Sequence, residues 1–231
     1  MVRQAHHERL NLTALDEIED ASIDSQSKHC GSFGKLGVLS FNGNKIITTG
    51  GGGMIVTDRP EWAERSRYLT TQAKEDGVEY VHNSVGYNYR MNNVLAAIGL
   101  AQLENLDERI AIKRDNFARY EEALGPSRLL GQPAWSESNR WFYALLCDSA
   151  DMKRELLAAC TAAGIQVRPL WYPNHLQKPY REMQAHRITR APDFYDTVLN
   201  LPCSLSLTPE QIAEVTALVE AAAPGRHATP A

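Results

Sequence analysis

Residues 40–56 read SFNGNKIITTGGGGMIV, which places one lysine between two short apolar runs, with four glycines before the second run. Val38 to Phe41 and Met54 to Val56 have the length and glycine borders of two buried strands, so Lys45 falls on their connection. We expect a lysine there to be mostly desolvated, which favours the neutral amine that can attack a carbonyl. The alternative is a lysine whose stem lies along the surface while its head reaches water.

Two more motifs follow along the chain. Residues 86–99 read GYNYRMNNVLAAIG, and the run Arg168-Pro169-Leu170-Trp171 precedes Pro173 and His175. From about residue 31 onward the chain resembles the DegT/DnrJ/EryC1/StrS family, whose members are pyridoxal-phosphate-dependent aminotransferases that act on nucleotide-linked keto-sugars. A nucleotide-binding P-loop is excluded, because the residues before Lys45 lack the GxxxxGK[ST] order.

The resemblance implies an α/β fold. Residues 1–115 would be a remnant, the C-terminal part, of a fold-type-I pyridoxal-phosphate transferase large domain, and residues 116–231 a small C-terminal α+β domain. The boundary follows from a helix that starts at Asn92 or Asn93 and becomes highly charged before it ends at Gly125-Pro126. Other patterns predict helices over residues 60–73, 152–163 and 209–222, and strands over residues 141–146 and 166–170.

Pyridoxal phosphate needs an amine, a carboxylate at its ring nitrogen, and donors for its phosphate. By resemblance, Lys45 is the amine and catalytic residue, Asp20 the carboxylate, Ser40 a phosphate donor, and Asn88 a donor from the opposite subunit of a homodimer. Without the resemblance, Asp20 would be a loop cap, Ser40 a plain strand serine and Asn88 a turn residue.

The resemblance also assigns the substrates. The amino donor would be glutamate, and the acceptor a nucleotide-linked keto-hexose used for amino sugars and surface polysaccharide. Trp171 and His175 lie where the family's small domain closes over the sugar. The alternative for Trp171 is an anchor in the core of the small domain.

Composition and charge limit the partners, metal sites and location that we expect for the protein. The net charge is −4 without a basic stripe, so we expect no nucleic-acid partner. The four cysteines lack metal-ligand spacing, so we expect ordinary thiols, no metal site and a cytoplasmic location. No apolar run has membrane-spanning length, so we expect no membrane partner.

The short segment before Lys45 favours a second hypothesis, that of an inactive fragment. Family members carry a long portion of the large domain before the lysine, and nothing in Met1 to Ile18 replaces it. The chain is therefore expected to be N-terminally truncated. The alternative to an active aminotransferase is a truncated, catalytically inactive fragment that keeps the motifs but cannot hold the cofactor.

Overall fold

The computed structural model describes residues 29–223 and divides the chain into two compact units, Met1–Leu106 and Asp107–Ala231. The first unit contains strands β1 (Gly37–Ser40) and β2 (Gly53–Val56) and helices α1 (Pro60–Thr70) and α2 (Asn93–Leu103). Helix α3 (Leu106–Leu124) leads into the second unit. The predicted domain boundary after residue 115 falls inside α3. Asp20 and the polar segment around it lie outside the described residues.

Strands β1 and β2 form an antiparallel pair in which Gly37 faces Val56 and Ser40 faces Gly53. Lys45 lies on their connection, as predicted. The expectation that both strands are buried is wrong, because Val38 is 75% exposed and Met54 51% exposed. Within residues 29–223 no third strand pairs with these two, so both outer edges of the pair lack a strand partner.

The single helix predicted from residue 92 to residue 124 is two helices. Asn92 caps α2, and its side-chain oxygen accepts a hydrogen bond from the Leu95 amide at 2.9 Å. The break comes at Glu104 and Asn105, where the Asn105 side chain donates to the Ala101 carbonyl at 2.8 Å. Asparagine favours such local bonds over a continuing helix, which explains the break.

The second unit is built on a three-stranded antiparallel sheet of β3 (Tyr143–Leu146), β5 (Val198–Leu201) and β4 (Arg168–Pro169), in that spatial order with β5 in the centre. Its helices include α4 (Ala150–Ala162), α5 (Ala191–Thr197) and α6 (Pro209–Ala222). The sequence patterns missed α5 and the central strand β5. The predicted cap of α6 is confirmed, because Thr208 forms a capping box with Gln211.

One face of this sheet packs into the core. Tyr143 and Leu145 of β3 join Leu199 and Leu201 of β5 in a buried cluster with α3, α4 and α6. Alternate residues of each strand point to the other face. A buried lysine of α3, Lys113, donates to the carbonyls of Trp141 and Cys203, and burial lowers its pKa. No helix within residues 29–223 is long and apolar enough to cross a membrane.

Two buried tyrosines of this core offer a matched test of hydrogen-bond satisfaction. The Tyr120 hydroxyl is buried without a partner among the described residues, whereas the Tyr143 hydroxyl donates to the Lys113 carbonyl at 2.8 Å. Tyr120→Phe is therefore expected to raise the free energy of unfolding by about 1 kcal/mol, and Tyr143→Phe to lower it by about 1 kcal/mol. Urea denaturation of the two variants measures the difference. Equal effects of the two substitutions would contradict this account.

The cysteines should differ in reactivity. Cys30 is exposed, whereas burial raises the pKa of Cys147 to about 11 and also raises the pKa of Cys160. The thiolate is the reactive form, so at pH 8 only about one in a thousand Cys147 thiols is ionised. We expect iodoacetamide to modify Cys30 first in the folded chain, and all sites in denaturant, as read by peptide mass mapping. Early modification of Cys147 would show that the core described here opens readily.

Candidate active site

Lys45 lies in a tight turn that directly follows β1. The Lys45 amide donates to the Asn42 carbonyl at 3.0 Å, and the Asn42 side chain donates to Asn44 Oδ1 at 3.2 Å. Ser40, the last residue of β1, accepts a hydrogen bond from the Asn42 amide at 3.5 Å. Ser40 and Lys45 therefore lie at the two ends of one short loop.

Two threonines fix the segment that follows Lys45. The Thr48 hydroxyl and the Thr49 amide both donate to the Phe41 carbonyl at 3.0 Å. The Thr48 hydroxyl also accepts from the Gly50 amide at 2.8 Å, while the Thr49 hydroxyl donates to the Gly51 carbonyl. Thr49 is only 3% exposed. These bonds close the loop back onto the end of β1 and limit the positions that Lys45 can take.

Helix α2 supports this loop from one side. Gln102 of α2 accepts a hydrogen bond from the Thr48 amide at 3.4 Å. A Cβ atom at Gly99 would lie 2.8 Å from Thr49 Cγ2, so the helix can approach the loop this closely only with glycine at that position. Sequence reasoning did not single out Thr49, Gly99 or Gln102. The signal that could have found Gly99 is its place in the second motif, on a helix that otherwise favours larger residues.

The exposure of Lys45 differs from the expectation. The side chain is half-buried in the described structure, not mostly removed from water. Ser40 is exposed. The position of Lys45 on a structured loop, rather than its burial, is therefore the feature that distinguishes it from an ordinary surface lysine.

Asn88 lies in the same unit on a separate segment. The Tyr87 amide donates to the Leu69 carbonyl at 2.7 Å, and the Gln72 amide donates to the Tyr87 carbonyl at 3.0 Å. Asn88 itself forms a backbone bridge with Thr71. The backbone is thus held against the end of α1, while the Asn88 residue remains exposed.

Trp171 and His175 lie in the second unit. Trp171 is 63% exposed, and its ring meets the Phe142 ring edge-on with centroids 5.3 Å apart. The alternative role as a core anchor is therefore wrong. Trp171 lines a mainly apolar cavity of about 310 Å³ together with Phe194 and Tyr195. His175 is half-buried in a short 3-10 helix, Asn174–Leu176.

A family model for the DegT/DnrJ/EryC1/StrS aminotransferase family matches residues 15–220. The chain belongs to this family. Among curated relatives it is 42% identical over 165 residues to EpsN of Bacillus subtilis (strain 168), covering 70% of this chain and 42% of EpsN. It is 33% identical to the GDP-perosamine synthase of Caulobacter vibrioides, covering 92% of this chain and 59% of that enzyme. The chain thus spans about half the length of these relatives.

Solved structures confirm the expected α/β fold of pyridoxal-phosphate sugar aminotransferases. The aminotransferase TlmJ from Streptoalloteichus hindustanus matches with a TM-score of 0.77 at 28% identity, covering 85% of this chain and 54% of TlmJ. DesI, solved in the presence of its TDP-sugar product, matches with a TM-score of 0.75 at 26% identity, covering 87% of this chain and 53% of DesI.

A larger side chain at Gly99 tests the close contact between α2 and the Lys45 loop. Gly99→Val would push a branched side chain into Thr49, which cannot retreat because it is buried and bonded to the loop. We expect the substitution to lower the free energy of unfolding by about 1–3 kcal/mol, as overpacking does. Ala97→Val is the matched control, because it adds the same residue at an exposed position of the same helix. Equal thermal stability of the two variants would contradict the close approach.

Proposed function

We propose that the chain carries out pyridoxal-phosphate-dependent transfer of an amino group to a nucleotide-linked keto-sugar. Membership of the aminotransferase family supports this function, as do relatives named for GDP-perosamine and for a TDP-sugar product. The single observation that carries it is the position of Lys45 on a loop closed by Thr48 and Thr49 and supported by α2.

The residues around this loop fit the cofactor's chemical needs. Lys45 supplies an amine, Ser40 a hydroxyl at the opposite end of the loop, and the glycines that follow supply backbone amides without side chains in the way. Gly50 and Gly52 take left-handed φ values of 79° and 85°, which glycine adopts at little cost. We propose Lys45 and Ser40 as cofactor-binding residues of this chain, with Asp20 as the carboxylate for the ring nitrogen.

Asn88 has the properties needed to reach a ligand outside its own segment. Its backbone is anchored at the end of α1, and no hydrogen bond among the described residues engages its side-chain amide. We propose that Asn88 donates to the phosphate in the partner subunit of a homodimer. A dimer would also cover apolar residues that this unit leaves exposed.

The chemistry divides between the cofactor and the chain. When bound, pyridoxal phosphate supplies an electron sink that makes the proton on the adjacent substrate carbon removable. Lys45 Nζ takes this proton as a general base and returns it as a general acid, so the amine must move between two carbons within hydrogen-bond reach. The loop bonds of Thr48 and Thr49 restrict that movement to the Lys45 side chain.

Trp171 and His175 are proposed as sugar-binding residues. An exposed indole beside Phe142 offers a flat apolar surface to a hexose ring, and the His175 imidazole can donate to or accept from its hydroxyls. We further propose glutamate as the amino donor, amino sugars for surface polysaccharide as the product, and the cytoplasm as the location. Free thiols at all four cysteines support the last point.

The exposed apolar surface of α2 supports the alternative hypothesis, that of an inactive fragment. No residue of α2 is buried, although the helix is strongly apolar, and Val94 and Leu100 are 69% and 60% exposed. A helix of this kind normally lies inside a larger core. If the surface stays uncovered in solution, the chain would aggregate or fail to hold the cofactor.

Cofactor attachment at Lys45 separates the two hypotheses. We expect the purified chain with pyridoxal phosphate to show the absorbance of a lysine-bound cofactor, and Lys45→Ala to lose it. Lys35→Ala is the matched control, since Lys35 is an exposed lysine of the same unit. Borohydride reduction followed by peptide mass mapping should place the modification on Lys45. Modification spread over several lysines, or equal spectra for all three proteins, would favour the inactive fragment.

A further inference from the structure

Two consecutive residues shortly after α1 take a backbone conformation that suits neither of them. Gln72 and Ala73 have φ values of 72° and 51°, in the left-handed region that residues other than glycine rarely adopt. Ala73 is also fully buried. Such strain persists only where the surrounding structure holds it, and it occurs often at functional sites. The contacts of these two residues, called here the left-handed pair, therefore indicate what the strain serves.

Three hydrogen bonds hold the left-handed pair. The Ala73 amide donates to the Tyr68 carbonyl at 2.9 Å, and the Gln72 amide donates to the Tyr87 carbonyl at 3.0 Å. The third bond joins His82 Nδ1 to the Gln72 carbonyl oxygen at 2.7 Å. A carbonyl oxygen can only accept, so Nδ1 carries the proton and donates. Of the three bonds, this is the one that depends on the identity of a side chain.

The backbone places His82 beside the left-handed pair. His82 forms a backbone bridge with Lys74, and one step further out the Glu75 amide donates to the Val81 carbonyl at 2.9 Å. These contacts close the loop between the two residues without help from the imidazole ring. Removal of the ring would therefore remove one bond to the left-handed pair and leave the loop in place.

The left-handed pair lies directly against the segment that carries Asn88. A Cβ atom at Gly86 would lie 2.3 Å from the Gln72 carbonyl carbon, so this approach requires glycine at position 86. The next residue, Tyr87, accepts the Gln72 amide bond, and Asn88 forms its backbone bridge with Thr71. The backbone position of Asn88 is thus tied to the conformation of Gln72.

We propose that His82 is a positioning residue for Asn88. Its bond to the Gln72 carbonyl holds the left-handed pair, and with it the backbone that presents the Asn88 amide to the cofactor phosphate of the partner subunit. Glycine at positions 72 and 73 would form the same turn without strain, but would leave it flexible. A strained pair held by His82 gives Asn88 one position. The inference rests on the proposed function of Asn88, and His82 itself touches neither cofactor nor substrate.

Hydrogen exchange of the full chain tests the positioning step without cofactor. His82→Leu removes the donor at similar size, whereas His82→Asn keeps an N–H at the same number of bonds from the backbone. We expect the peptide covering residues 86–90 to exchange at least about fivefold faster in His82→Leu and at the wild-type rate in His82→Asn. Exchange in α6 should not change in either variant. His186→Leu is the matched control, since His186 is an exposed histidine of the second unit.

Cofactor affinity tests the link from His82 to Asn88. Asn88→Ala should weaken pyridoxal phosphate binding about tenfold, because one bond to the phosphate is lost. His82→Leu should weaken it at least about threefold, and His82→Asn should not change it. The double variant should bind no more weakly than Asn88→Ala alone, because His82 acts through Asn88. A general loss of stability would instead add to the effect of Asn88→Ala.

Three results would overturn the inference. They are unchanged exchange of residues 86–90 in His82→Leu, equal behaviour of His82→Leu and His82→Asn, and additive losses of affinity in the double variant. A wild-type chain that holds no cofactor at Lys45 would contradict the proposed function instead. The exchange experiment alone would then decide whether His82 holds the segment that carries Asn88.

Discussion

Helix α2 approaches the Lys45 loop so closely that position 99 has no room for a side chain. This contact orders the loop from outside, while the bonds from Thr48 and Thr49 to the Phe41 carbonyl order it from within. A lysine in catalysis must present its amine at a fixed place but move it over a short distance. A rigid backbone that carries a long flexible side chain meets both needs. The rigidity of the backbone depends on the packing of Gly99 against Thr49.

The two units differ in how they are stabilised. The second unit buries a continuous core in which Tyr143 and Leu199 meet three helices. The first unit has a two-stranded sheet, and its apolar helix α2 buries no residue within the described structure. Two strands alone are marginally stable in water. The β1-β2 pair and α2 therefore have little buried support within the described residues, whereas the second unit has a continuous core.

Helix caps and glycine borders in the sequence correctly predicted the helices and strands at whose ends they lie. Asn92 and Thr208 mark helix starts that the structure confirms, and the glycine borders located β1 and β2. Strand β5 was missed because Val198–Leu201 is short and includes Asn200, which is uncommon in strands. The exposure of Val38 and Met54 could not be predicted from the sequence. An apolar run indicates a residue that can be buried, but it does not show which other element covers it.

The residues of the candidate site also show that sequence motifs do not reveal long-range contacts. Lys45, Ser40 and Asn88 stand out through motifs, whereas Thr48 and Gln102 form a hydrogen bond that joins distant parts of the chain. The outer face of the second unit's sheet, opposite the core, is also covered along its central strand, because Val198 and Asn200 are 1% and 6% exposed. Strand β5 therefore buries residues on both of its faces, and a run of four residues is too short for that double burial to show in the sequence pattern.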